Sequence, residues 1–251
     1  MSVSRRDLIT KGIILRKTKY RETSLILEVF SPKFGLIAIM AKGVRKQNSK
    51  STGLLEILNE LDLTLYKNPQ SEWYIFKEAE LIKSHLNNVS YETSILMQAA
   101  VEIYRQLISD LNDFIKLYEL LKQYLEYTPN INTNGITIFW RFLSRLFTII
   151  GIEINLNKCV ICEKEKPFYA YYPQKHGFIC RECYRPVYDN FLIKLSAQQS
   201  EILGNLRQIG NLLNELKLEK QTIRQLNRIF LLHLSEHFHK RFYLKSLELL
   251  N

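Results

Sequence analysis

All four cysteines of this chain fall in one window, Cys159-x2-Cys162, then seventeen residues, then Cys180-x2-Cys183. Each C-x-x-C turn aims two thiolates at one point, and two such knuckles complete a tetrahedral shell for zinc. Between them, Phe168–Ile179 is rich in β-forming residues, with Lys175-His176-Gly177 at a turn, which predicts a hairpin. Four thiolates leave no open position for water or substrate, so the expected zinc is structural. His176 could replace a cysteine as ligand, but four cysteines make that unnecessary. Two disulfides or four free thiols are the other readings. No apolar stretch follows the charged N-terminus before Lys11, so a cytoplasmic protein is expected. Disulfides are disfavoured in that compartment.

Residues 8–82 read as about five short strands. Leu61–Tyr66 alternates strictly, and Thr23–Phe30 puts Leu25, Leu27 and Val29 on one face, with Ser24 and Glu28 on the other. Ser31–Gly35 and Asn68-Pro69 are turns, and Leu8–Lys17, Leu36–Lys42 and Trp73–Phe76 supply the other strands. Five strands in this length suit a small closed barrel of the oligonucleotide-binding (OB) type.

From about residue 90 the spacing becomes helical. Ile95, Leu96, Ala99, Ile103 and Leu107 share one face, and Leu111, Phe114, Tyr118, Leu121 and Leu125 share another. Within residues 136–150 only Arg141, Ser144, Arg145 and Thr148 break an apolar surface. This predicts a buried central helix stopped by Gly151. Ser196 caps a helix expected to run to Leu216. Another is expected over Gln221–His239, with Tyr243–Leu250 continuing it. The fold class is therefore α+β. Residues 1–82 form the OB domain, 83–156 and 187–251 the two parts of a helical domain, and 157–186 an inserted zinc ribbon.

The net charge is +10, and residues 1–50 carry +9 of it. Such asymmetry points to a polyanion, with nucleic acid ahead of an acidic membrane surface or an acidic protein. One basic cluster is Lys11, Arg16, Lys17, Lys19 and Arg21, and the other is Lys42, Arg45, Lys46 and Lys50. Tyr20, Phe34 and Tyr74 are candidates to stack on bases, although barrel aromatics more often serve the core.

No Gly-rich phosphate loop and no nucleophile elbow is present. His233-Leu-Ser-Glu236-His237 matches the H-x-x-E-H peptidase pattern and puts both histidines on one helical face. Three fixed residues in a histidine-rich segment are weak grounds for an enzyme.

Several of these segments together resemble the RecO family of bacterial recombination mediators. They are Tyr20-Arg-Glu-Thr-Ser24, Phe34-Gly35, Ala41-Lys-Gly-Val-Arg45, the aromatic helix ending at Gly151, the following Cys-x2-Cys pair, and Lys245-Ser-Leu247. The resemblance implies an OB barrel, a helical domain and, in many members, a zinc module. It implies binding of single- and double-stranded DNA, annealing of complementary strands, and no enzymatic turnover. Implied partners are RecR and the acidic C-terminal tail of single-stranded DNA-binding protein (SSB), acting together to load RecA. Arg141 is similar in position to a residue of the family pocket for that tail. The remaining readings are an RNA-binding OB/zinc-ribbon protein, an adaptor that binds only protein, and the peptidase.

Overall fold

The computed structural model describes residues 7–46, 53–67, 70–107, 112–165 and 167–250. The chain divides into two compact units. One gathers Met1–Ser94 with Val101–Glu126, and the other Ile95–Ala100 with Tyr127–Asn251.

The first unit is built on five strands: β1 (Asp7–Tyr20), β2 (Ser24–Ser31), β3 (Gly35–Ala41), β4 (Asn59–Lys67) and β5 (Tyr74–Ser84). Their pairing closes on itself in the order β1-β2-β3-β5-β4. β1 achieves this by serving two neighbours. Asp7–Ile13 pairs with β4 and Ile13–Tyr20 with β2, and an irregularity between Ile14 and Arg16 lets the strand bend. Side chains alternate across a strand, and the predicted faces are the buried ones. Leu25, Leu27, Val29, Ile37, Ile39, Ala41, Leu61, Leu63 and Leu65 form one core with Ile14. Each Leu, Ile or Val side chain among them contributes roughly 1.5–3 kcal/mol by leaving water.

Two helices complete this unit's packing. Phe30 of β2 meets Tyr104 of α1 (Tyr91–Leu107) at 5.4 Å between ring centroids, and Tyr118 of α2 (Phe114–Tyr127) at 6.0 Å. The Tyr104 hydroxyl donates to the Leu117 carbonyl at 2.8 Å, which joins the two helices. α2 thus packs on the strands, and Val101–Glu126 belongs to the same compact unit as they do. Leu111 and the Asn68-Pro69 turn lie outside the described residues.

In the second unit, α3 (Gly135–Ile149) is buried on most sides, as its sequence predicts. Trp140 is fully buried, and its indole N–H donates to Asn227 Oδ1 at 2.7 Å. Gly151, at φ +78°, ends the helix in a Schellman turn: the Ile152 N–H reaches the Phe147 carbonyl at 2.9 Å. α4 (Ala197–Gly204) opens with a reciprocal capping box between Ser196 and Gln199.

α4 does not reach Leu216. Gly204 and Gly210 weaken continuation, and the Asn205 amide caps the Glu201 carbonyl at 3.1 Å. The chain then passes through 3-10 turns at Leu206–Asn211. α5 (Lys220–Phe238) also stops short of the tail, because His239 turns left-handed at φ +49°. The Phe242 N–H returns to Ser235 Oγ, so Ser246–Leu250 is a separate 3-10 turn.

The cysteine window carries the predicted hairpin. β6 (Ala170–Tyr172) pairs with β7 (Gly177–Ile179) and, on its other edge, with β8 (Ile193–Lys194). No helix among the described residues is long and apolar enough to cross a membrane.

Candidate functional site

The hairpin and its flanking knuckles bring the four thiols together. One sulfur each from Cys159, Cys162, Cys180 and Cys183 lies within 4.8 Å of the others, and Cys162 Sγ is 3.7 Å from Cys180 Sγ. All four are free, so the disulfide reading fails here. A tetrahedral shell with metal–sulfur bonds near 2.3 Å has sulfur–sulfur edges of about 3.8 Å. The cluster already has that scale, and four cysteines this close could hold a metal ion. Burial alone would raise the Cys159 thiol, but N–H donors from Cys162, Cys180 and Ile161 outweigh it. They hold the group down at about 6. Burial and the neighbouring thiols push Cys183 up instead. Four crowded thiols resist ionising together, and a cation removes that conflict.

His176 does not join the cysteines. It groups with His233 and His237, whose ring nitrogens all lie within 4.8 Å of one another. His233 has no exposed surface, and both its nitrogens are engaged. Nε2–H donates to the Ile152 carbonyl at 2.7 Å, and Nδ1 accepts from the Tyr171 hydroxyl at 3.0 Å. Burial holds the ring neutral, with its pKa down at about 4. A peptidase needs its metal-bound histidines beside an open cleft. The complete burial of His233 argues against that reading.

The basic residues separate by partner. Arg16 pairs with Glu28 at 3.2 Å, and Glu28 also takes Arg105 at 2.6 Å. Lys17 pairs with Glu56. Lys11 sits on the β4-paired half of β1, opposite Asp62, away from the β1–β2 turn. Arg21 and Arg45 do come together. The Arg45 N–H donates to the Thr23 carbonyl at 2.9 Å, and its guanidinium to the Arg21 carbonyl at 3.2 Å. This docks the segment carrying Lys42 and Lys46 beside the β1–β2 turn. Lys19, Lys42 and Lys46 are exposed and have no ion pair among the described residues. Lys50 lies outside the described residues.

One aromatic pair borders this surface, and another lies elsewhere on the strands. Tyr20 meets Trp73 edge-on at 6.2 Å, with the Arg21 guanidinium 5.3 Å from the Tyr20 ring. Phe34 and Tyr74 pair at 5.8 Å, with Lys33 over Phe34 and Lys67 over Tyr74. Both rings also pack against the strand core, so each is partly structural. Trp73, Lys33 and Lys67 were not singled out from the sequence. The one available signal was the cation or aromatic next to each in the chain.

Arg141 lies on the predicted polar stripe. With Ser144, Arg145 and Thr148 it lines a cavity of 230 Å³, completed by Glu153, Leu206 and Arg207. Arg207 reaches Glu153 at 3.5 Å, and both are well exposed. Three guanidinium groups around one cavity favour an anion.

The comparisons agree on one family. The profile for the recombination protein O N-terminal region matches residues 5–85, and that for its C-terminal region matches residues 89–248. The "DNA repair protein RecO" of Chloroherpeton thalassium is 31% identical over 156 residues, covering 62% of this chain and 60% of that protein. The protein of the same name from Bacillus pumilus is 23% identical over 248 residues, covering 96% and 93%. That from Halalkalibacterium halodurans is 25% identical over 197 residues, covering 77% and 74%. The match to Chloroherpeton and to the Chlorobium phaeobacteroides relative spans about three-fifths of those proteins' length.

Proposed function

The chain belongs to the recombination protein O family, RecO, and from that premise we propose that it is a DNA repair and recombination mediator working without chemical turnover. In this reading the five-stranded sheet of residues 1–82 is an OB barrel that binds single- and double-stranded DNA. The closed order β1-β2-β3-β5-β4 supports that reading. The observation that carries it is the docking of Arg45 on the Arg21 turn, which sets two separate basic segments beside the Tyr20–Trp73 pair. Cations track phosphates, and rings give sequence-tolerant stacking.

Annealing needs no catalyst. Two DNA strands repel, and a basic surface lowers that repulsion while raising the local strand concentration. Base pairing then supplies specificity. Arg141 and its cavity bind the carboxylate end of the SSB tail, which brings the protein to coated strands by avidity. RecR is the partner in loading RecA.

One zinc ion belongs to the ribbon at 157–186, held by Cys159, Cys162, Cys180 and Cys183. The 3.7 Å sulfur spacing and the absence of disulfides support that assignment. Zinc there supplies a cross-link in a segment whose own core is small.

Binding of a single-stranded oligonucleotide across a salt series tests the reading. If six cations contact phosphates, log K falls with log salt at a slope of about −4 to −5. A slope near zero contradicts it. Tighter binding of RNA than DNA at fixed salt would redirect it to the RNA reading.

A further inference from the structure

The histidine cluster lies apart from the thiolates and is not used by the function proposed above. His176 comes from the β6–β7 turn, where φ +50° points its ring toward α5. His233 and His237 sit one turn apart on α5, on the same face. The ring centroids of His176 and His237 are 4.1 Å apart, and those of His233 and His237 are 4.6 Å apart. His176 Nδ1 and His237 Nε2 are both buried and have no hydrogen-bond partner among the described residues. Two such nitrogens side by side call for a partner, because buried polar atoms are normally satisfied. A bound cation would satisfy both.

We infer that His176, His233 and His237 form a second metal site, which takes a borderline divalent ion such as zinc on three imidazole nitrogens. The chemistry of the donor set fits. Neutral imidazole suits zinc, copper and nickel, whereas magnesium and calcium want oxygen. Three histidines are also a known zinc set that leaves a fourth position open. His233 is already held as a ligand histidine should be. Its Nε2–H is fixed by the Ile152 carbonyl, so Nδ1 keeps the lone pair. That lone pair now receives the Tyr171 hydroxyl, and the ion takes its place. Zinc–nitrogen bonds near 2.0–2.1 Å require nitrogens about 3.3 Å apart. One ring nitrogen from each histidine lies within 4.8 Å of the others, so ring rotation with a small shift of the turn closes the shell.

The site would join two elements that the cysteine site does not. It would fasten the β6–β7 hairpin to α5 directly, through one ligand from the turn and two from the helix. This is no peptidase centre, because His233 is enclosed and the ion would lie between packed elements.

The test is zinc titration of the tag-free, full-length chain, with bound metal counted after equilibration at buffered free zinc. The wild type should take one ion tightly and a second at higher free zinc. His176→Gln and His237→Gln should each stop at one ion and keep the tight one. A measurement without variants runs in parallel, following histidine ring-proton resonances as the second equivalent is added. Three sets should shift together and saturate at one equivalent, while those of His85 and His239 stay in place. Tyr171→Phe removes the competing hydroxyl and should bind the second ion at least as tightly as wild type. A wild type that stops at one ion, histidine variants that still hold two, or ring shifts confined to His239 would each overturn the proposal.

Discussion

The hydroxyl of Tyr118 on α2 donates to the Glu60 carboxylate on β4 at 3.0 Å, where Glu60 has no exposed surface. Lys122, one turn further along α2, reaches the same oxygen at 3.1 Å. His85 Nε2 stands 3.8 Å from the other oxygen. Burial would raise the Glu60 carboxyl, but these neighbours outweigh it and hold it down at about 2.

Glu60 is therefore harder to protonate in the fold than in the unfolded chain. Its contribution is complete above about pH 5 and drains away as pH falls toward 2. Glu60→Gln should cost on the order of 3 kcal/mol at neutral pH. The gap between variant and wild type should close as the solution is acidified. Urea unfolding of both proteins across pH 3 to 7 checks this. A gap that stays constant with pH would mean that the carboxylate charge is not what stabilises α2 on the strands.

If the four thiols hold the proposed zinc, removing it should loosen the cysteine segment. A ligand present a thousandfold above its dissociation constant stabilises by about 4 kcal/mol. Chelation, or Cys180→Ser, should lower the melting temperature of the second unit while the strand unit melts as before. Calorimetry resolves the two transitions. An unchanged melt after verified metal loss would make the four thiols incidental.

The cations should not contribute equally to DNA binding. Lys17 is already paired with Glu56, and Arg16 shares Glu28 with Arg105, whereas Lys42 and Lys46 have no such partner among the described residues. Lys42→Ala and Lys46→Ala should each flatten the log–log salt slope by roughly 0.7–1. Arg16→Ala should change it less. Trp73→Ala should weaken binding by roughly 1–3 kcal/mol if its ring stacks on a base. That loss should persist at high salt, because stacking releases no counterions.

Gly35 is required by geometry. It sits at φ +69°, and a Cβ there would lie 2.7 Å from the Phe114 ring. Gly35→Ala should destabilise the first unit by roughly 1–3 kcal/mol through strain and overpacking. Phe114→Leu should recover part of that loss, as shown by the double-mutant cycle.

Period-two patterning placed the strands and their buried faces in advance, because Leu61, Leu63 and Leu65 have only one way to face a core. The apolar surround of the Arg141–Thr148 stripe likewise marked α3 as central. Where the helices end was less legible. Ser196 announced the start of α4 through its cap, but the stop depends on Asn205 turning back to the Glu201 carbonyl. At the candidate site, the cysteine spacing announced the convergence of the four thiols. The histidine cluster was half visible: the i, i+4 pair showed in the sequence, whereas His176 joined it through the tertiary docking of a turn. The basic residues looked alike as letters, and only the positions of Glu28 and Glu56 separated paired cations from unpaired ones.

The most direct test of the account is annealing of two complementary single strands, each coated with cognate SSB. The wild type should anneal them rapidly, and the Lys42→Ala/Arg45→Ala/Lys46→Ala triple variant should lose that activity while keeping its fold. Rapid annealing by the triple variant would move the DNA surface elsewhere. Coated strands that never anneal with the wild type, together with weak binding to naked DNA, would contradict the mediator reading itself.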